Sequence, residues 1–488
     1  MCFKLKTRLI NKMKRSLKEL AVFIACLFCL SIKAQRIWTL QECLDTALIK
    51  NISINQGYLS SQIAKINLIQ SKANQLPNLY LNDSHSLNSG FSLDPYTNEY
   101  TSQNISSNIL SLNSSFIIYN GRVLLNTIKQ NKLLFEASLL DIDKLKVDIT
   151  LSVMAAFMQV LMDYEAINIS KEQVSASELK VEQTEKQLQF GKVAELSLLQ
   201  MRSQLASDKL LQINLENQLQ LDKLTLLQLM EMPSNEHFEI RQQNIFSYMS
   251  FITPTPIEIN SAAIKFMPQV KSATFRIEAA NTSISIEKAL GIPSLVLSGG
   301  LKTGYSSIRS SYTSDTSNQQ TTIGYVNGDL SFPVTNMIST FTTHKQIQSM
   351  SNQLKNNFGE FITLALTIPI FNKNTARNNI SIAKINIRVA ELNEQQVKND
   401  LRKTVETVYT NQISAGKKMT TIKEQLDLEQ RTFIDMEKKY AFGAVGATDF
   451  LIEKNNFNKV SLSFIQAKYD YVLKSKIVDF YLGKSLNY

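Results

Sequence analysis

Between Gly121 and Gly191 the chain runs for 69 residues, Arg122 to Phe190, without a glycine or a proline. The run is rich in Leu, Lys, Glu, Gln and Ala, the residues that lose least on entering a helix. At about 1.5 Å per residue it predicts a helix of about 100 Å, roughly three times the width of a small domain. Such a rod cannot be folded inside an ordinary globular core.

Other helical stretches are expected at Gln41–Asn55, Tyr58–Leu76, Val193–Met232, Gln269–Leu290, Thr375–Tyr440 and Thr448–Leu482, with Gly416 interrupting the fifth. Their apolar residues recur every three or four positions, as in "LLQMRSQLASDKLLQINL", which is the spacing of helices packed on helices. None reads as apolar enough for long enough to cross a membrane as a helix.

Two segments have a different period. In 110–118, Leu110, Leu112, Phe116 and Ile118 alternate with Ser111, Asn113 and Ser115; in 362–371, Ile362, Leu364, Leu366, Ile368 and Ile370 alternate with Thr363, Ala365 and Thr367. An alternation of period two predicts strands with one apolar and one polar face. Weaker partners begin at Pro77 and Pro293, so β-hairpins are expected over about 77–119 and 293–371, with polar loops near 94–104 and 306–357.

The chain repeats itself. Ala47–Ile54 matches Ala263–Val270, and Leu76-Pro77 matches Ile292-Pro293, at an offset of 216. Past the hairpins the offset is 252: Leu110 matches Ile362, "IYN" at 118–120 matches "IFN" at 370–372, and Phe190-Gly191 matches Phe442-Gly443. The reading is a duplication, with a first repeat over 35–260 and a second over 261–488 that gained 36 residues of loop. Each half is helix, hairpin, very long helix, glycine turn and helix, the turns lying at 190–197 and 442–449.

Residues 1–34 carry eight Lys or Arg and one Glu, then an apolar run from Ala21 to Ile32 and a small residue, Ala34. This is the pattern of a cleaved secretory signal; a lipoprotein site at Cys26 is the weaker reading, because the apolar run continues past it. Removal of the signal takes the net charge from +10 to +3 and leaves Cys43 as the single cysteine. The small residual charge argues against nucleic acid as a partner, and one cysteine allows no internal disulfide.

An apolar row facing outward and a polar row facing inward, on strands of about ten residues, fit a transmembrane β-barrel; a soluble sheet would alternate in the same way. The flanking rods leave nothing globular for such a sheet to cover, which favours the barrel. Four strands cannot close, since single-chain membrane barrels need about eight, and an open edge in lipid strands its backbone groups. Copies of the chain must therefore pool strands. The fold class expected is a long all-α helical barrel joined to a membrane β-barrel, the helices lying in the compartment to which the signal delivers.

With these features the chain resembles the TolC-type outer-membrane efflux proteins over essentially its whole mature length. The resemblance is carried by "WTLQECLDTALIKN", by Pro77 and Pro293 before the first strands, by "IIYNGR" and "IPIFNKNTAR" entering the long helices, and by the two Phe-Gly turns followed by "ELSLLQMRSQL" and "TDFLIEKNNF". It implies a homotrimer with a twelve-stranded barrel in the outer membrane and an α-helical barrel in the periplasm. It further implies passive export, with a periplasmic adaptor linking the duct to an inner-membrane transporter. Phe190, Gly191, Phe442 and Gly443 would be the tips on which the adaptor docks.

By the same resemblance Asp449 lines the pore constriction, with Glu453 and Tyr440 beside it. The family's second acid falls on Ile452, its tip arginine on Val445 and the first-half acid on Ser197, so that polar latch does not carry over. Three Asp449 carboxylates around one axis would favour cations. Asp449 would equally stabilise the first turn of the helix starting near Thr448 without any pore.

Enzymatic chemistry finds no foothold. His85, His237 and His344 have no ligand spacing with Cys43, which leaves metal binding unsupported. "LGKS" at 482–485 follows a helix, with Val478 where a P-loop needs its first glycine. No cofactor motif is present, and Trp38 reads as a packing residue. Efflux of small molecules is the leading expectation and type I protein secretion the alternative. An exported coiled-coil structural or adhesive protein ranks below both, because it predicts sustained heptads and no paired amphipathic hairpins.

Overall fold

A computed structural model describes residues 37–96, 98–234, 238–241 and 254–484. The expected signal segment, Cys26, His237 and the last residue of "LGKS" lie outside them. The first half contains β1 (Ile37–Trp38), α1 (Leu40–Lys50), α2 (Ile52–Ala73), β2 (Asn78–Asn88), β3 (Ser92–Leu93), β4 (Tyr100–Thr101), β5 (Ile105–Asn120), α3 (Val123–Gln189), α4 (Glu195–Leu229) and β6 (Glu239–Ile240). The second contains α5 (Pro256–Phe266), α6 (Pro268–Lys288), β7 (Ser294–Ser306), β8 (Ser310–Tyr325), β9 (Pro333–Ile347), α7 (Met350–Asn356), β10 (Gly359–Thr367), α8 (Thr375–Ala441) and α9 (Ala447–Tyr481).

The halves match element by element. Helices α3 and α8 are both 67 residues long, and α4 and α9 both 35. The short helices α1 and α5 are 11 residues each and start with the same capping box: Thr39 with Glu42, Thr255 with Glu258. In each box the threonine oxygen accepts from the glutamate backbone N–H, while the glutamate accepts from the threonine N–H. Two otherwise orphaned donors are satisfied by each box, so both helices start at a defined residue.

The chain divides into two units. The first comprises the described residues up to Ala64, Leu134–Ile277, and those from Ala390 onward. Its largest core joins Trp38, Cys43, Leu44 and Ala47 to Val153, Phe157 and Leu161 of α3, Leu226 of α4 and Ile465 and Val472 of α9. A second core packs α5 on α8 and α9 through Ile259, Met267, Leu401, Val405 and Val478. Each fully buried aliphatic side chain contributes about 1.5–3 kcal/mol relative to exposure, so these seams fix how the helices lie against one another.

One expectation about this unit is not met. Gly416 does not interrupt α8, which runs through it; a β-carbon there would stand 3.1 Å from Tyr471 Cε2, so the glycine makes room for a ring on α9. The long helix α3, which is not among the stretches read as insufficiently apolar, contains one 18-residue window apolar enough to cross a membrane, of which 33% is buried. Val153, Met154, Phe157, Met158, Val160 and Leu161 are buried on this helix, so packing accounts for part of its apolarity.

The second unit comprises Lys65–Leu133 and Glu278–Val389 and holds a four-stranded antiparallel sheet of order β10-β7-β5-β2. Register decides its faces. Leu81 pairs with Leu112 and Leu112 with Leu301; Phe116 pairs with Leu297 and Leu297 with Leu364. Residues opposite one another share a face, so Leu79, Leu81, Leu110, Leu112, Phe116, Leu297, Leu301, Ile362, Leu364 and Leu366 lie on one mainly apolar face, together with Ser114 in its middle and Asp83, Thr303 and Glu360 toward the end away from α3. The other is the more polar, with Ser111, Asn113, Ser115, Ser298, Lys302 and Thr363 alongside Tyr80, Ile109, Ile117, Val296 and Phe361.

Three residues expected in the apolar row lie outside its regular ladder. A bulge between Ile117 and Tyr119 takes Ile118 out of register. The last strand ends at Thr367, leaving Ile368 and Ile370 beyond it and 59% and 96% exposed. Pro369, which has no N–H to donate, ends the ladder there.

The expected loop over 306–357 contains an ordered pair, β8 with β9, of 16 and 15 residues, followed by α7. Its alternation is largely of Ser, Thr, Asn and Gln with scattered apolar residues, so no continuous apolar row announces it.

Candidate functional site

Both long helices end alike. Gly191 and Gly443 take φ of +71° and +74°, and no atom lies within 4 Å of where a β-carbon would be built on either. Backbone conformation, not space, requires glycine here. Gly191 N donates to Leu188 O at 2.8 Å and Lys192 N to Gln187 O at 2.9 Å; Gly443 N donates to Tyr440 O at 3.1 Å and Ala444 N to Lys439 O at 2.8 Å. This is the Schellman closure, which satisfies the last carbonyls of a helix before the chain reverses. Phe190 and Phe442, each one residue before the glycine, are 77% and 89% exposed.

Behind the turns, the ends of α3, α4, α8 and α9 share a small core of Val181, Leu198, Met201, Ala447 and Phe450. The Tyr440 ring stacks on Phe450 with centroids 4.8 Å apart, and Phe433 stacks on Phe457 at 5.2 Å. Lys180 Nζ sits 5.3 Å from the Tyr440 centroid and 5.1 Å from that of Phe450, and 3.7 Å from Glu437 Oε1. Tyr440 Oη is buried and has no hydrogen-bond partner among the described residues.

Asp449 occupies the first turn of α9, whose N-cap is Gly446 with no side-chain cap. Its carboxylate is exposed and lies at the positive end of the helix. Glu453, one turn on, is half-buried. Its carboxyl neighbours that of Glu429 on α8, and this second acid raises the Glu429 pKa above its ordinary value. The expected site residues thus fall into three settings: Asp449 open to solvent, Glu453 paired with another acid, and Tyr440 in the aromatic stack.

A polar cluster that sequence reasoning does not single out lies just behind them. Lys454 Nζ is 2.7 Å from Asp208 Oδ2, and Lys454 and Asp208 both hydrogen-bond Ser177 Oγ. All three are almost fully buried. Gln204 adds to the cluster by donating to Asp208 Oδ1 at 2.8 Å and exchanging hydrogen bonds with Asn455 at 2.8 and 3.1 Å. The cluster ties α9 to α3 and α4. A signal for it exists: Phe450, Lys454, Asn458, Ser461 and Ile465 are buried at steps of four, four, three and four, so a charged residue stands on the buried stripe.

Among the described residues no group of His, Cys, Asp and Glu is arranged to hold a metal. Cys43 is a fully buried cysteine and Trp38 is part of the core.

Long paired helices together with a two-faced antiparallel sheet define the architecture of an outer-membrane channel subunit. The family model for outer membrane efflux proteins matches residues 43–230 and 340–484, and the chain belongs to that family. It is a family of transport channels rather than enzymes, and its members reside in the outer membrane with a helical barrel in the periplasm.

Solved structures of outer-membrane proteins share the fold. The CmeC outer membrane channel of Campylobacter jejuni has a TM-score of 0.69 at 18% identity, covering 91% of this chain and 85% of that one. The outer membrane protein VceC of Vibrio cholerae gives 0.68 at 14%, covering 92% and 97%. The open state of the MtrE outer membrane channel of Neisseria gonorrhoeae gives 0.68 at 16%, covering 92% and 89%. No curated protein matches the sequence significantly.

Proposed function

We propose that three copies of the chain close into an exit duct through which small molecules leave the cell, with a periplasmic adaptor docked on the helix tips and an inner-membrane transporter supplying the energy. The observation that carries this reading is the sheet. Its outer strands β10 and β2 each have an unpaired edge, and one face is rich in Leu, Ile and Phe, among them the exposed Leu79, Leu81, Phe116, Ile362, Leu364 and Leu366.

In a bilayer each unpaired backbone group costs several kcal/mol, so a four-stranded sheet is tolerable only when copies close it. Three copies give twelve strands with the apolar face toward outer-membrane lipid and the Ser, Asn and Thr face toward water. The tips fit the remaining role: Phe190 and Phe442 are large apolar side chains held out on turns, as expected of anchors for a partner. Asp449, exposed at the start of α9, supplies one carboxylate per copy to a ring at the same end.

Deletion of the gene tests the substrate class. The expected result is increased retention of small amphiphilic dyes and antibiotics with an unchanged profile of exported proteins. Loss of one secreted protein with unchanged dye retention would overturn the efflux reading in favour of protein secretion.

A further inference from the structure

At the end of the sheet opposite the start of α3, the connection between β2 and β5 does not stand free. It folds back onto β7 at Gly304, which lies in register with Ile109 on the same face as Gly300 and Lys302, the polar face. A β-carbon at 304 would coincide with Tyr96 Oη and clash with Asn108 O. The tyrosine hydroxyl takes the place a side chain would fill and donates to Asn108 O at 2.8 Å.

The residues before it are built in as firmly. Asp94 is fully buried; Tyr96 N donates to its Oδ1 at 2.9 Å and Ser306 Oγ donates to its Oδ2. Ser306 is clamped from its other side by the buried Gln353, which accepts from Ser306 N and donates to Ser306 O, both at 2.9 Å. The short β3–β4 ladder and the Phe91–Tyr100 stack, 5.3 Å between centroids, brace the arm. A linker needed only to join two strands through water has no use for a buried carboxylate or for a glycine cleared to seat a tyrosine.

We propose that the arm Phe91–Tyr96 is a fixed constriction over the polar face at the outer mouth of the duct, setting an upper size for what passes there independently of the helix tips. The inference rests on the reading that the polar face lines the conduit. In a threefold ring, three such arms would enter one opening, each held by the Tyr96–Gly304 contact.

The test uses thiol labelling of intact cells, with Cys43 fully buried and silent. Ser298, on the polar face toward the other end of β7, is replaced in the S298C variant, and Leu297 on the opposite face in L297C. A small charged maleimide and one carrying a long polyethylene glycol chain are applied from outside. With the arm intact, S298C is expected to react with the small reagent only. With Tyr96→Ala, or with 91–96 replaced by glycine and serine, the large reagent should reach it as completely as the small one. Both variants are first checked for a native oligomer on unheated gels.

Equal reaction with both reagents while the arm is intact overturns the constriction and leaves the duct standing. Exclusion of the large reagent in every background overturns it as well, because something other than the arm then sets the limit. Reaction of L297C in place of S298C with the small reagent overturns the reading of the faces, and the constriction with it.

Discussion

Lys454 Nζ lies 2.7 Å from Asp208 Oδ2 with both side chains almost wholly shielded from water, joining helices that belong to opposite halves of the duplicated chain. Removing one partner strands a buried charge, which costs about 3–5 kcal/mol, while replacing both with apolar groups of similar volume is close to neutral. Lys454→Met is therefore expected to loosen the end of the helix bundle. Lys454→Met combined with Asp208→Leu should recover most of the loss. Urea unfolding and hydrogen exchange at 177–210 measure both; a single variant as stable as the parent would show that the cluster contributes little.

A similar cost is expected where Gly416 faces Tyr471. Gly416→Leu inserts a branched side chain where even a β-carbon would stand 3.1 Å from the ring, and overpacking of this kind costs about 1–3 kcal/mol. Helix propensity returns about 1 kcal/mol. The net effect on thermal unfolding is destabilising, and Tyr471→Ala in the same chain should relieve it.

Asp163 introduces a pH dependence. The side chain is buried on α3 against Asp222 of α4, and burial, reinforced by that second carboxyl, raises its pKa to about 8. One oxygen accepts from Gln159 Nε2 at 3.3 Å, while the other is buried with no partner unless it is protonated and donates to Asp222. A carboxyl raised in the folded state stabilises fully below its unfolded value near 4, and this contribution is lost as pH rises through about 8. Stability should fall over that window by at most about 1.4 kcal/mol per pH unit. Asp163→Asn should flatten the profile, as followed by thermal unfolding between pH 4 and 8; an unchanged slope would contradict the assignment.

Much of this architecture is legible in the sequence, and what is not has physical causes. The glycine turns at 191 and 443 stand out because a positive φ there leaves few alternatives to glycine, and the apolar rows of β5 and β10 because contact with an apolar medium on one face imposes period two. Gly416 misleads because a glycine that accommodates a ring looks, in one dimension, like a glycine that ends a helix. Lys454, Asp208 and Asp163 escape notice because a charge is ordinarily solvated, and only its place on a buried stripe reveals otherwise. The Tyr96–Gly304 contact joins residues 208 positions apart and has no local signature.

Asp449→Ala separates the two roles of that carboxylate. Loss of a favourable charge from the first turn of α9 costs at most about 1 kcal/mol, so folding should be retained. In planar bilayers, cation selectivity and block by divalent cations are expected to weaken. Unchanged conductance, selectivity and block would leave Asp449 only its place at the helix start.

The central claim is that the sheet closes with other copies into a membrane pore. Purified mature protein, taken from the outer-membrane fraction as an oligomer that resists unheated detergent gels, can be added directly to a planar bilayer. The account predicts discrete, long-lived conductance steps from that oligomer. A protein that runs as a monomer in mild detergent and gives no steps would contradict it.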